Sequence, residues 1–441
     1  MNRQNNIFFW SLTAALGGFL FGFDTAVISG VEQTLQNLWS LNPFQHGLTV
    51  SIALIGTVIG SMFGGIPADS MGRKKTLFWI AVSYFLSALG TALANDWSLF
   101  LIFRFLGGLG VGASSVAAPM YITEISPAKS RGKMVALFQF NVVFGILIAY
   151  VSNYFLQDIP NEAWRWMLGV QAIPALFFII TVLNIPESPR WLALKAGKTA
   201  EALAVLQIID PDTAQQTLEN IINNQPDASQ SKPKLFSKKY KTPVMLAILF
   251  ALFNQLSGIN AIIYYAPRIF EMTGLGKDSA LLSSAGIGLT NLIFTLLALN
   301  VIDRFGRRKL MYIGSVGLII TLGLVARAFY LEDFGMTVPI LLFVYIAFFG
   351  FSQGAVIWVF ISEIFPNEVR ASGQALGSFT HWIMAAIVAF SFPSIASYLG
   401  GGNTFLFFCF MMILQLLFVW KIMPETKGSS LEKIEPTIFA H

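Results

Sequence analysis

Two opposite charges stand where almost nothing else is charged. Asp24 lies in an apolar run near residues 7 to 29, and Arg104 in another near 99 to 121. A charge at the centre of such a segment costs about 2.5 to 3.5 kcal/mol on insertion scales, so each is expected to face a protein interior and to have a partner. Burial penalises a carboxylate's charge and a neighbouring cation favours it, so a carboxylate poised between the two can gain or lose a proton when the cation moves. The plainer alternative is a static ion pair that only helps packing. Amides are the second unusual group: Gln139, Gln255, Asn260 and Asn291 all sit inside otherwise apolar runs. Each can donate and accept hydrogen bonds, either to a bound molecule or between helices.

Other chemistry is poorly represented. There is no Ser/His/Asp set, metal cluster or phosphate loop, and the chain has three histidines, so an enzyme is not expected and neither metal nor cofactor is implied. Gly107, Gly108, Gly110 and Gly112 have a spacing that resembles a nucleotide loop, but no strand surrounds them. With Gly17, Gly18 and Gly22 they fit close helix packing through small faces instead. Cys409 is the only cysteine, which excludes an intrachain disulfide.

The elements that position these residues follow from composition. The 441 residues are 55% hydrophobic and 12% charged, about half the usual charged fraction, and no water-soluble surface can be built from that mixture. Apolar stretches of roughly 20 residues, enough to cross a bilayer, are read near 7–29, 47–66, 76–94, 99–121, 134–156, 164–184, 243–266, 280–301, 310–330, 338–361, 372–397 and 403–423. The first is too long for a typical signal-peptide core, contains Asp24 and shows no convincing cleavage site, so it is taken as a span. With both termini cytoplasmic, 23 of the 28 Lys and Arg residues fall on the cytoplasmic side and four on the outer side or rim, Arg104 being within a span. That bias fixes the orientation by the positive-inside rule and removes any need for a nucleic-acid partner. The absence of an Asn-x-Ser/Thr sequon favours a bacterial inner membrane.

Short signatures recur in order. Asp69-x-x-Gly72-Arg73-Lys74 returns as Asp303-x-x-Gly306-Arg307-Arg308, Glu124-x-x-Pro127-x-x-x-Arg131 as Glu363-x-x-Pro366-x-x-x-Arg370, and Pro186-Glu187-Ser188 as Pro424-Glu425-Thr426, at offsets of 234, 239 and 238 residues. Three matches in order at nearly the same offset mean a duplicated half. The expected fold is an all-α membrane protein of twelve helices in two six-helix bundles related by pseudo-two-fold symmetry: 1–184, then a cytoplasmic linker 185–242, 243–424, and a tail 425–441. Ala200 to Leu206 favours helix, Asp210-Pro211 reads as a helix start, and 223–234 as flexible.

Gly64-Gly65-x-x-Ala68-Asp69-x-x-Gly72-Arg73-Lys74, Arg104-x-x-Gly107-Gly108-x-Gly110-x-Gly112, Pro119-x-Tyr121-x-x-Glu124, Pro186-Glu187-Ser188-Pro189-Arg190-Trp191, Gln255-Leu256-Ser257-Gly258-Ile259-Asn260 and Pro424-Glu425-Thr426-Lys427-Gly428 together resemble the sugar porter family of the major facilitator superfamily, from Gly17 to Gly428. The resemblance implies an alternating-access carrier of a hexose or pentose, working as a monomer in the lipid bilayer. Proton-linked members carry Asp at position 24 and Arg at 104, whereas facilitative relatives commonly carry Asn in the first span, so the resemblance favours sugar/proton symport over uniport. Gln139, Gln255, Asn260, Asn291, Trp358 and Trp382, with Phe21 and Tyr264 as lesser candidates, match family sugar-contact positions, and Asn254 and His381 stand beside them as further candidates. Gln255 and Asn260 are five apart and Tyr264 follows at i+4, compatible with adjoining faces of one helix. Arg73, Glu124, Arg131, Glu187 and Arg190, with Arg307, Glu363 and Arg370, resemble the inner salt-bridge network that holds the halves together in one state.

Three positions depart from the family pattern. Asn254 replaces a Gln, His381 a Gln or Asn, and Ala355 a Pro in span ten. The first two could alter sugar preference, and His381 is either a second titrating group or a neutral hydrogen-bonding residue. Ala355 puts bending of span ten in doubt, although Gly350 and Gly354 still allow it. The rival readings are a uniporter, a drug/proton antiporter and a membrane sugar sensor.

Overall fold

The apolar runs fold as helices. A computed structural model describes residues 3–127, 130–223, 235–366 and 368–427, and these contain nineteen α-helices and no strand. In chain order they are α1 (Arg3–Val27), α2 (Glu32–Leu38), α3 (Pro43–Phe63), α4 (Gly65–Met71), α5 (Arg73–Leu93), α6 (Trp97–Ile125), α7 (Arg131–Leu156), α8 (Ala163–Gly169) and α9 (Ala172–Leu183). Three short helices follow, α10 (Pro189–Leu194), α11 (Thr199–Ile209) and α12 (Ala214–Asn223). The remainder are α13 (Lys241–Leu256), α14 (Ile259–Met272), α15 (Lys277–Phe305), α16 (Arg307–Leu331), α17 (Thr337–Phe351), α18 (Gln353–Glu363) and α19 (Arg370–Lys421).

Eleven helical stretches among the described residues are long and apolar enough to cross a bilayer, against the twelve expected. The difference lies in α19, whose 52 residues run through both of the last two expected spans. As a straight helix it would be about 78 Å long at 1.5 Å per residue, more than twice a hydrocarbon core. It is not straight, because Gly400 has φ 77° and ψ 164° in its middle, a backbone region open essentially to glycine alone.

Two other spans are interrupted. The seventh breaks after Leu256, where Gly258 takes φ 87° between α13 and α14, and again at Tyr265 (φ −124°, ψ 19°) just before Pro267. Gln255 and Asn260 are therefore not neighbours on one continuous helix, as their spacing predicts; the chain turns between them. The tenth breaks at Ser352 (φ −119°, ψ −90°), between Gly350 and Gly354, so span ten bends without the missing proline. The Asp210-Pro211 pair does not start a helix: Asp210 ends α11 with extended backbone, and α12 begins at Ala214. The expected flexible stretch, beyond Asn223, and the tail from 428 onward lie outside the described residues.

The chain gathers into two compact units. Unit 1 comprises the described residues of Met1–Val27, Ile52–Ala149 and Leu156–Ser231; unit 2 those of Ile28–Ser51, Tyr150–Phe155 and Lys232–His441. Inside unit 1 the helices approach closely where glycine removes the side chain. A Cβ on Gly22 of α1 would collide with the Val142 carbonyl of α7, and one on Gly108 of α6 with the Ala53 carbonyl of α3. Small faces of this kind substitute van der Waals contact for the hydrophobic drive that lipid cannot supply. The core of unit 1 runs from Trp10, Tyr84 and Tyr121 to Leu192, Leu206 and Leu218 of the short helices. Trp10 and Trp164, near the ends of their spans, are buried in protein. Unit 2 packs around Phe250, Phe360, Phe365 and Phe418.

Candidate functional site

In unit 1, α1 and α6 bring the two rare charges together. Arg104 Nη1 donates to Asp24 Oδ1 at 2.7 Å, and Nη2 reaches the Asp24 carbonyl at 3.4 Å. Both side chains are almost completely shielded, 4% and 2% exposed, so the pair is held in a low-dielectric interior where neither charge survives well without the other. The glycines of α6 permit this approach, since a Cβ on Gly107 would run into Ser87 and come within 3.7 Å of Asp24 Oδ1. Arg104 Nε makes no hydrogen bond, so the guanidinium is bound to its partner by one edge and has a donor to spare. Gln171 stands beside the same carboxylate, and its amide nitrogen makes no hydrogen bond. Tyr84, also buried, donates from Oη to the Gly17 carbonyl at 3.3 Å. Gln171 and Tyr84 escape sequence reasoning because one amide and one tyrosine inside apolar spans look like ordinary packing. Phe21 packs on the unit 1 core, and Gln139 is half-buried on α7.

Unit 2 assembles most of the remaining amides at the α13–α14 break. Asn260 Nδ2 donates to Gln255 Oε1 at 2.6 Å, and Gln255 Nε2 donates to Asn254 Oδ1 at 2.9 Å. The same Nε2 lies 3.2 Å from both ring nitrogens of His381. The turn that allows this is held by Ser257, whose Oγ donates to the Asn254 carbonyl at 2.6 Å and whose own carbonyl accepts from Tyr345 Oη at 2.9 Å. The His381 ring is packed 4.9 Å from Trp358 of α18 and 4.8 Å from Trp382, its neighbour on α19. Asn254, Gln255, Asn260, His381, Trp382 and Tyr264 are all buried. Asn254 Nδ2 also donates to the Gln353 carbonyl at 3.4 Å, which adds a residue the sequence reading did not single out. Asn291 stands apart from these amides, accepting only from Thr295 Oγ1 at 3.4 Å and lying near Gly350. The cluster carries no formal charge, offers amide donors and acceptors, and is bordered by aromatic faces, a combination that suits a neutral hydroxyl-rich ligand.

The duplicated signatures build two matching ion networks, one inside each unit. In unit 1, Arg73 Nε and Nη2 grip Glu124 at 2.9 and 3.0 Å, while Glu187 Oε1 accepts from the backbone N–H of Arg73 at 2.9 Å and of Lys74 at 3.1 Å. In unit 2, Arg307 Nε and Nη2 grip Glu363 at 3.0 and 2.6 Å, and Glu425 accepts from the N–H groups of Arg307 and Arg308 at 2.9 and 3.0 Å. Ser188 Oγ donates to Glu124, and Thr426 Oγ1 does the same to Glu363. Gly72 (φ 100°) and Gly306 (φ 85°) present these N–H groups, and a Cβ on either would strike the acceptor carboxylate. Glu187 is partly sheltered, and burial pushes its carboxyl above the ordinary value of 4.5, opposed by hydrogen bonds from Ser188, Lys74 and Arg73. Glu425 is the partner missing from the sequence assignment, although the echo of Pro186-Glu187-Ser188 in Pro424-Glu425-Thr426 points to it.

The remaining charges of this set are placed differently. Arg370 Nε donates to the Phe365 carbonyl at 3.3 Å and its Nη2 has no partner. Arg190 is exposed, and no described ion pair includes it. The Arg131 side chain lies outside the described residues.

Comparison with known proteins identifies the family. The sequence pattern of the family described as "Sugar (and other) transporter" matches residues 10–438. The arabinose-proton symporter of Bacillus subtilis strain 168 is 40% identical over 434 residues, covering 96% of this chain and 93% of the relative. The D-xylose-proton symporter of Escherichia coli K12 is 36% identical, covering 99% and 97%. The inward open structure of the xylose transporter XylE from E. coli superposes with a TM-score of 0.87 at 34% identity, over 98% of this chain and 99% of that one. This multi-span chain is thus a transporter rather than an enzyme, and it belongs to the sugar porter family of the major facilitator superfamily.

Proposed function

We propose that the chain is a proton-coupled monosaccharide symporter working by alternating access. One observation carries this reading: a buried titratable pair, Asp24 with Arg104, coexists in one chain with an uncharged amide and aromatic cluster at Asn254, Gln255, Asn260, Trp358, His381 and Trp382. The pair offers a proton site, because loss of the Arg104 contact changes which protonation state of Asp24 is favoured. The cluster offers hydrogen bonds to sugar hydroxyls, with Gln139, Asn291, Phe21 and Tyr264 completing the set by family position. Relatives named as arabinose-proton and D-xylose-proton symporters support both halves of the proposal and make pentoses the first substrates to try.

The proposed arrangement has twelve crossings in two pseudo-symmetric bundles, the last two within α19 on either side of Gly400. Both termini face the cytoplasm, as the Lys and Arg distribution favours, and the carrier acts as a monomer in a bacterial inner membrane. The networks around Arg73 and Arg307 then lie on the cytoplasmic side. Contacts of this kind, made in one state and lost in another, bias a nearly balanced equilibrium.

Sugar-induced proton movement tests the proposal. Adding D-xylose or L-arabinose to de-energised, right-side-out vesicles should alkalinise the medium. Sugar entry without any such alkalinisation would identify a uniporter instead.

A further inference from the structure

One buried charge cluster belongs neither to the proton pair nor to the amide cluster. Glu32, in the first turn of α2, has no exposure at all. Arg268 of α14 grips it from the side, Nε to Oε1 at 2.8 Å and Nη2 to Oε2 at 2.8 Å, while Nη2 also donates to Gln36 at 2.6 Å. On the other side His46, in the first turn of α3 and equally unexposed, brings Nε2 to 2.7 Å from Glu32 Oε2. That imidazole makes no directed hydrogen bond, so it encloses the carboxylate rather than replacing Arg268. A second strand of contact runs beside it, Gln33 Nε2 donating to Glu271 at 3.1 Å. All these residues are in unit 2, yet Glu32, Gln33 and Gln36 come from 28–51, as does His46, and the partners Arg268 and Glu271 from α14, more than 230 residues later in the chain.

Arg268 is the hinge-side member of this arrangement. It follows the Tyr265 irregularity and Pro267, whereas Asn260 of the amide cluster opens the same helix after Gly258. One short helix, broken at both points, therefore carries a proposed sugar contact at one end and the charge clamp near the other. We propose that Glu32 and Arg268 form an outer latch that holds the 28–51 segment against α14 in one state of the transport cycle and is broken when the outer path opens. The proposal rests on the transport reading and on the orientation given above. A bidentate carboxylate–guanidinium pair with one fully buried member favours the state that contains it. Removing it shifts the population toward the state that lacks it.

Sided affinity tests the latch. Right-side-out and inside-out vesicles carrying the wild type, Glu32→Gln, Arg268→Gln or Arg268→Lys are assayed for exchange of D-xylose, L-arabinose and D-glucose at equal pH on both faces. Each glutamine variant should strengthen apparent affinity from the outer face and weaken it from the inner face, moving their ratio at least about fivefold. Arg268→Lys, which keeps the charge but loses the fork, should move it the same way by less, and decides alone if the glutamine variants fail to reach the membrane. A ratio unchanged within about twofold, or an equal loss on both faces as a purely structural pair would give, overturns the latch. Wild-type vesicles that exchange none of the three sugars overturn the transport reading itself, and the latch with it.

Discussion

Arg104 meets Asp24 through one edge of its guanidinium, Nη1 to Oδ1 at 2.7 Å, while its Nε is left without a partner in a buried site. An ion pair built only for stability would be expected to use the planar fork in full, as Arg73 does on Glu124. The single-edged contact, with Gln171 beside the carboxylate, leaves a second arrangement within reach of the same groups.

Breaking that pair from either side should be unequal to removing it whole. Arg104→Gln leaves a buried carboxylate uncompensated and should destabilise the folded protein by about 3 to 5 kcal/mol. The double variant Asp24→Asn/Arg104→Gln should recover most of the loss. Thermal unfolding in detergent measures both, and additive losses would contradict the buried-pair description.

Gln255 joins Asn254, Asn260 and His381 through its two polar atoms. Gln255→Leu should therefore weaken monosaccharide binding at least tenfold, about 1.4 kcal/mol, whereas His381→Gln, which keeps a hydrogen-bonding partner for Gln255, should change it only a few-fold. Equilibrium binding to purified protein distinguishes the two. Equal effects would contradict the leading role given to Gln255.

Gly72 and Gly306 hold the same left-handed backbone in the two ion networks. Gly72→Ala and Gly306→Ala should each cost about 1 to 3 kcal/mol from backbone strain, with additional loss as the Cβ displaces Glu187 or Glu425. Gly65→Ala, where a Cβ meets nothing within 4 Å, is the control. Unfolding midpoints for the three variants check this.

The Glu187 carboxyl sits above its ordinary 4.5 because burial outweighs the N–H groups that favour its charge. A raised value in the folded state means that the carboxyl's contribution is fully present below about pH 4.5 and declines as pH rises through the folded value. Glu187→Gln imitates the uncharged form. Wild type and variant should therefore unfold alike in acid, with the variant the more stable near neutrality. A wild-type advantage that grows with pH would reverse the assigned balance.

Much of this was legible before any coordinates. Asp24 and Arg104 stand out because a charge in an apolar run demands a partner, and the structure supplies each to the other. The amides were visible for the same reason, but not the way Gln255 and Asn260 meet, since a helical reading of their spacing cannot foresee the φ of 87° at Gly258. The Glu32–His46–Arg268 cluster was hidden because residues near span ends look like ordinary solvated groups until folding buries them, and Gln171 because a lone amide inside a span shows no partner in the sequence. Glu425 was written in a repeat yet unassigned, as its task is to accept backbone N–H groups rather than to face a cation. The last two spans merged into one assigned helix because Gly400 turns the chain without ending the run of helical residues.

Transport by Asp24→Asn vesicles tests the central claim most directly. The uncharged side chain should abolish sugar accumulation driven by an imposed pH gradient while sugar exchange continues at a measurable rate. Proton-driven accumulation at the wild-type level in that variant would contradict the assignment of Asp24 as the coupling site.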